Sequence, residues 1–335
     1  MKAANKTLLH FLFVLGTVTW TASPCFTQSP SPPPAAAPAQ TVKLTMIATD
    51  SANHSVDEVR QEDVQLIEDK LPQIISMFSR DVRPVDYALV VDNSGSFRDL
   101  IKPVIAAAKL IVNGNNPADE TFIERFISSD KVETVVDFTP DKAKLIEVLD
   151  WFYAEKGQSA VVDGVYLAVN HTAEHRNGAA DRRRAVVVFT DGEDRASYYG
   201  DGKLAKLLRE KDVQVFVVGI VNLLSKQGGL VVRRSPREAA EALLRKIAGE
   251  SGGRVFFPRD NDELMRAAAE IVHDLHFQYL IGFEPPGRPV EKGFRKVTVR
   301  FVASPNREQL KLITRPGYLM NVQNTIPKAE ERTSP

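Results

Sequence analysis

With 335 residues, 43% hydrophobic and 26% charged, the chain has the balance of a globular protein and room for one large or two modest domains. Lysine plus arginine equals aspartate plus glutamate at 43 each, so the basic excess of a nucleic-acid surface is missing and no nucleic-acid partner is expected. A single cysteine, Cys25, excludes an internal disulfide and leaves stability to the core.

Residues 1–28 read as a secretory signal peptide. Lys2 and Lys6 form the positive start, and Leu8 to Trp20 is an apolar stretch too short for a span of ~20 residues. Cleavage is expected between Ala22 and Ser29. Cys25 stands where a lipid-bearing cysteine would, but Ala22-Ser23-Pro24 fits that signal badly, and no lipid is expected. Residues 29–40, with Pro30, Pro32, Pro33, Pro34 and Pro38, read as a flexible, partly polyproline linker. No second apolar run is long enough to span a membrane, so the reading is of an exported protein.

From Thr41 the chain turns β-rich. Thr41 to Ala48 alternates like a strand, as do Asp63 to Glu68 and Ile74 to Phe78, with a turn over Glu68 to Pro72 joining the last two as a small antiparallel unit. Tyr87 to Val91 is a continuous apolar run, the signature of a strand buried on both faces. Leu100 to Val112 has helical spacing, with Pro103 in its first turns, where proline is best tolerated. Phe122 to Ile127 and Val132 to Phe138 form a hairpin, and Lys142 to Tyr153 and Val161 to Glu174 form helices. Strands follow at Ala185 to Phe189 and Val213 to Ile220, separated by a short helix from Leu204 to Lys211. A helix over Glu238 to Ser251 stops at Gly252-Gly253. Arg254 to Phe257 reads as a fourth core strand and Leu264 to His276 as the last helix. Antiparallel strands return at Gln278 to Phe283, Arg295 to Val302 and Gln309 to Ile313.

Strands alternating with helices predict an α/β domain over 85–276: a doubly wound, mostly parallel sheet with helices on both faces. The flanking segments 41–84 and 277–320 hold too few strands to stand alone, so they are expected to join as one small antiparallel β subdomain. Residues 321–335 are expected to be a disordered tail.

In doubly wound sheets ligands bind beyond the carboxyl ends of the strands. Three polar loops fall there: Asp92-Asn93-Ser94-Gly95-Ser96, Gly157-Gln158-Ser159-Ala160 with Asp163 beyond it, and Thr190-Asp191-Gly192-Glu193-Asp194. Carboxylates, hydroxyls and water suit a hard cation, Mg²⁺ or Mn²⁺ rather than zinc. Gly95 is expected to let the first loop turn so that both serines face the ion. Asp163 reads as a support for the loop. Glu193 and Asp194 read more simply as an acidic loop capping the next helix.

The ordered set D-x-S-x-S, G-x-S-A and T-D-G resembles a von Willebrand factor type A domain. The resemblance implies a metal-ion-dependent adhesion site: Ser94 and Ser96 as direct ligands, Asp92 and Asp191 often acting through water, and the second-loop ligand on Ser159, where the family usually has threonine. It also implies an open metal position that takes a carboxylate from a partner protein. Gly252 to Pro258, Gln278 to Phe283, Arg295 to Val299 and Arg315-Pro316-Gly317-Tyr318 are similar to the tail of a bacterial group of exported type A-related proteins. Two departures fall in the N-terminal flank: the usual turn glycine is missing near Asn53-His54, and Lys70 stands where glycine is common.

The leading functional reading is an exported binding module and not an enzyme. The alternatives are an envelope structural protein with a vestigial metal loop and a metal-dependent hydrolase. A phosphotransferase would want an acid where Ser94 stands, and no G-x-S-x-G elbow occurs. His171-Thr172-Ala173-Glu174-His175 fits the zinc-protease pattern H-x-x-E-H, but surface histidines at a helix C-terminus are the simpler account. Arg182-Arg183-Arg184 reads as a solvated edge, and Gly228-Gly229 as a turn.

Overall fold

Apolar side chains alternate between the two faces of the central strands, and helices cover both faces. The computed structural model describes residues 41–176, 181–227, 234–285, 293–302 and 310–320. The expected signal peptide, linker and tail lie outside the described residues, as does the turn at Gly228-Gly229.

In chain order the N-terminal flank carries β1 (Val42–Thr49), β2 (Val64–Glu68), β3 (Leu71–Gln73) and β4 (Ile75–Asp81). The α/β part runs β5 (Val85–Asp92), α1 (Ile101–Gly114), β6 (Glu120–Ser128), β7 (Lys131–Thr139), α2 (Lys142–Asp150), α3 (Val161–Glu174), β8 (Arg183–Thr190) and α4 (Asp201–Glu210). It continues through β9 (Gln214–Gly219), α5 (Pro236–Ser251), β10 (Val255–Phe256) and α6 (Asn261–His276). The C-terminal flank adds β11 (Gln278–Phe283), β12 (Gly293–Phe301), β13 (Lys311–Ile313) and β14 (Gly317–Met320).

The central sheet has the order β10-β9-β8-β5-β6-β7, parallel except for the β6–β7 hairpin. Tyr87, Leu89 and Val91 of β5 face one core with α1, α2 and α6. Ala88 and Val90 face the other with α3, α4 and α5. Burial on both faces requires the uninterrupted apolar runs seen in the sequence. β5 is followed by β6 on one side and β8 on the other, so the strand order reverses at β5. The crevice beyond the C-terminal ends of β5 and β8 is therefore the binding position of this topology. On β6, Glu124 is buried and its Oε1 has no hydrogen-bond partner among the described residues. Burial alone pushes its carboxyl up to about 8.

The flanks pair with each other in two sheets, β13-β1-β11-β4 and β14-β12-β2-β3. Both contribute to one core, in which Leu44, Met46, Ile281 and Phe283 from the first sheet meet Leu66, Val297, Val299 and Tyr318 from the second. The N-terminal flank differs from its sequence reading. The turn is only Asp69-Lys70, and Leu71–Gln73 folds straight back onto β2, while β4 crosses to the other sheet and pairs with β11. Asp69 and Lys70 have φ of 44° and 73°, and Asn53 has 65°. Positive φ at both central residues is the geometry that two-residue hairpins need, so the two positions that lack the usual glycine are left-handed all the same.

Three other elements depart from expectation. β10 forms as expected but is cut to two residues at the sheet edge, with Phe256 in one core and Val255 and Phe257 against the other. Gly253 lets the backbone approach Val215 so closely that an added Cβ would stand 2.1 Å from its carbonyl oxygen, and Pro258 ends the extension. α2 stops at Asp150 and not at Tyr153, because the Asn93 side chain takes the Tyr153 carbonyl at 2.8 Å and draws the chain toward the first loop. β14 is an added strand, antiparallel to β12.

Candidate metal centre

β5 is buried throughout, so its last residue, Asp92, is 0% exposed. Asp92 Oδ1 accepts the Ser94 backbone N–H at 3.0 Å, which bends the chain as an Asx turn. Its Oδ2 accepts two hydroxyls, Ser159 at 3.0 Å and Thr190 at 2.8 Å. Ser94 Oγ and Ser96 Oγ lie 3.2 Å apart. Asp191 accepts the Glu193 N–H at 3.0 Å, and the Ser96 side chain favours its charged form. The five residues singled out in the sequence, Asp92, Ser94, Ser96, Ser159 and Asp191, are thus brought together from three loops.

Burial, and then the charge of Asp191, pushes the Asp92 carboxyl up to about 6. Burial likewise raises Asp191. Two buried carboxylates thus share one crevice, partnered by hydroxyls and backbone N–H groups and by no cationic side chain among these bonds. A cation there would relieve both the repulsion and the loss of hydration. The donors are all oxygen, which fits a hard divalent ion.

The loops are held from behind. Phe97, wholly buried in the core, anchors the first. The Asn93 carbonyl accepts the Glu155 N–H at 2.8 Å. The Ser159 carbonyl accepts the N–H groups of Arg195 and Ala196 at 2.9 and 3.2 Å. Asp163 accepts the N–H groups of Tyr198 and Tyr199, both at 2.7 Å, the supporting position expected of it. Asp194 accepts the Ser197 hydroxyl at 2.5 Å and the Val162 N–H at 3.3 Å, so it caps α3, while Glu193 pairs with Arg195.

Glycine has a different role from the one expected. Gly95 has no positive φ, and an added Cβ would meet only the Glu155 carbonyl, at an ordinary 3.7 Å. Gly192 is the strained position, at φ 78° with Leu244 and Ala240 packed where a Cβ would go. Thr190 and Asn93 were missed by the sequence reading. The threonine of T-D-G carried a signal, because a hydroxyl on the last residue of a buried strand needs a partner.

The histidine pair does not converge. His171 faces Asp137 at 2.8 Å and His175 faces Glu120 at 2.9 Å, and both rings stack on Phe138. His175 also lies with Asp86 and Glu120 at the opposite edge of the sheet, their ligand atoms within 4.8 Å, but Arg182 already neutralises Asp86 at 2.5 Å. Arg182 and Arg183 are not solvated as expected. Their side chains are 7% and 4% exposed, drawn in by the carboxylates of Asp86 and Asp81.

Comparison with known proteins identifies the family of the α/β part. The family model for the von Willebrand factor type A domain matches residues 86–270. An aerotolerance-related membrane protein from Bacteroides fragilis is 19% identical, over 57% of this chain and 99% of its own, with a TM-score of 0.44. A von Willebrand factor type A protein from Catenulispora acidiphila is 12% identical, over 82% and 72%, with a TM-score of 0.46. Proximal thread matrix protein 1 from the mussel byssus, solved with a zinc-occupied MIDAS motif, is 17% identical over 62% of this chain and 49% of its own, with a TM-score of 0.45. No curated protein matches the chain. No helix among the described residues is long and apolar enough to cross a membrane. Covering more than half the sequence, the family match establishes that this chain belongs to the von Willebrand factor type A domain family.

Proposed function

We propose that the chain is an exported binding module that holds Mg²⁺ or Mn²⁺ at the crevice beyond β5 and β8 and uses it to bind a carboxylate of a protein partner. Ser94 and Ser96 would supply direct oxygens, Ser159 the second-loop hydroxyl, and Asp92 and Asp191 the charge, in part through water. The observation that carries the reading is the convergence of these five oxygen-bearing side chains around Asp92, with two carboxylates that a cation would relieve. The Ser159 hydroxyl is turned to Asp92 although the family's usual methyl is missing, which favours a working site over a vestigial one.

Titration calorimetry tests it. Wild type is expected to bind Mn²⁺ at one site, Asp92→Ala to lose that binding, Ser94→Ala and Ser96→Ala to weaken it, and Ser159→Thr to preserve it. Equal Mn²⁺ binding by wild type and Asp92→Ala would place the ion elsewhere and sink the proposal. Capture of an envelope protein in Mg²⁺, lost with chelator and in Asp92→Ala, would identify the partner.

A further inference from the structure

A cavity of about 850 Å³ opens outside β10, where the central sheet meets the flanking β unit. Its walls come from the turn after β1, the end of α5, β10 and its flanks, α6 and β13. β10 lies three strands from β5, on the order of 14 Å across the sheet, and the cavity shares no residue with the three metal loops.

Its charges do not balance. Each acid on the wall is already held: Asp50 by His54, Glu263 by Arg259, and Glu270 by Ser55 and Arg254. The cations exceed them. Arg266 and Lys311 line the cavity with exposed side chains and form no ion pair among the described residues. Arg245 reaches Glu241 only at 3.8 Å. Arg254 is a buried part of the same wall. Its terminal nitrogens are occupied by Asp274, Ser55 and Asn53, while its Nε has no partner among the described residues. A buried donor left unpaired costs stability and is uncommon.

The floor is aromatic. Phe256 lies beneath the Arg254 guanidinium at 4.8 Å and Phe257 beneath that of Arg245 at 4.6 Å. Isolated surface cations are ordinarily just solvated. Here they gather at a domain junction, around a recess of small-molecule size with an apolar base. We propose that this cavity binds a small organic anion, an oxyanion group met by Arg266 and Lys311 on a flat apolar body laid against the Arg245–Phe257 stack. Guanidinium groups pair with carboxylate and phosphate alike and stack on planar faces, so either head group satisfies the chemistry.

The test is calorimetry on the full chain in chelator at constant ionic strength, with phenyl phosphate, benzoate and inorganic phosphate as probes. One-site binding of phenyl phosphate or benzoate is expected, and the tighter of the two names the head group. Arg266→Glu combined with Lys311→Glu, both on exposed side chains, should leave melting unchanged and weaken that binding about tenfold or more. Asp92→Ala should leave it unchanged, which separates this site from the metal crevice. Absence of saturable binding by both aromatic probes, or undiminished affinity in the double variant, would overturn the site. Inorganic phosphate binding as tightly as phenyl phosphate would overturn the apolar half of the proposal.

Discussion

Thr190 donates its hydroxyl to Asp92 at 2.8 Å and accepts the Gly192 N–H at 3.0 Å on the same oxygen. One side chain thus ties the end of β5 to the turn that carries Asp191. Groups behind metal ligands fix ligand orientation, and losing one typically costs ~10–100-fold in affinity. Thr190→Val keeps the shape and removes the hydroxyl. Mn²⁺ affinity is expected to fall about tenfold with the fold retained, as calorimetry and circular dichroism would report. Unchanged affinity would make Thr190 a bystander.

Glu124 gives stability a pH dependence of unusual sign for a carboxylate. Its folded pKa is about 8 against 4.5 unperturbed, so the folded protein holds the proton more tightly than the unfolded chain. Its contribution is fully favourable below 4.5 and is lost as pH rises through about 8. Glu124→Gln mimics the protonated form. The variant should melt with wild type at low pH and above it in mildly alkaline buffer. Parallel melting curves across the range would show that Glu124 is charged or hydrated in the fold.

The Arg254–Asp274 pair, at 2.5 Å with both side chains 0% exposed, joins the start of β10 to α6. Removing one partner strands a buried charge, so Asp274→Ala is expected to cost ~3–5 kcal/mol. Arg254→Met with Asp274→Leu should recover most of that loss. Chemical denaturation measures both, and a double variant no better than Asp274→Ala would show that the pair itself supports the fold.

Gly252 ends α5 at φ 75°, and an added Cβ would stand 2.3 Å from the backbone nitrogen of Arg315. Gly252→Ala combines left-handed strain with a backbone clash, together about 2–4 kcal/mol. Faster hydrogen exchange is expected first in β13 and β14, which flank the contact. Uniform acceleration across the whole chain would instead point to global unfolding.

The central sheet was legible because Tyr87 to Val91 and Ala185 to Phe189 are apolar at every position, a pattern only two-sided burial explains. The same rule overran at Arg254 to Phe257: Phe256 enters one core and Val255 and Phe257 pack against the other, but the strand itself is only two residues long, and no local pattern gives that length. Strand β14 was hidden because four residues behind Arg315-Pro316 carry little periodicity, and their partner, β12, is set by tertiary packing. The residues gathered around Asp92 were legible from the order of the strand ends. Thr190 was not, since a strand's last residue looks like core until its hydroxyl is given an address. The arginines at 182 and 183 looked solvated because the carboxylates that bury them, Asp86 and Asp81, lie about a hundred residues earlier in the chain.

The two flanks join each other through distant pairs: Tyr318 bonds Glu68 from 250 residues away, and the Val59 N–H reaches the Tyr279 hydroxyl across 220. Such contacts demand large loop closures before they repay any entropy. The α/β part between them shortens that loop once it has formed. During synthesis β1, β4 and the outer edge of the β2–β3 hairpin must therefore wait unpaired until β11 and β12 emerge behind the α/β domain. Those early strands are where a holding chaperone, or aggregation, would act first.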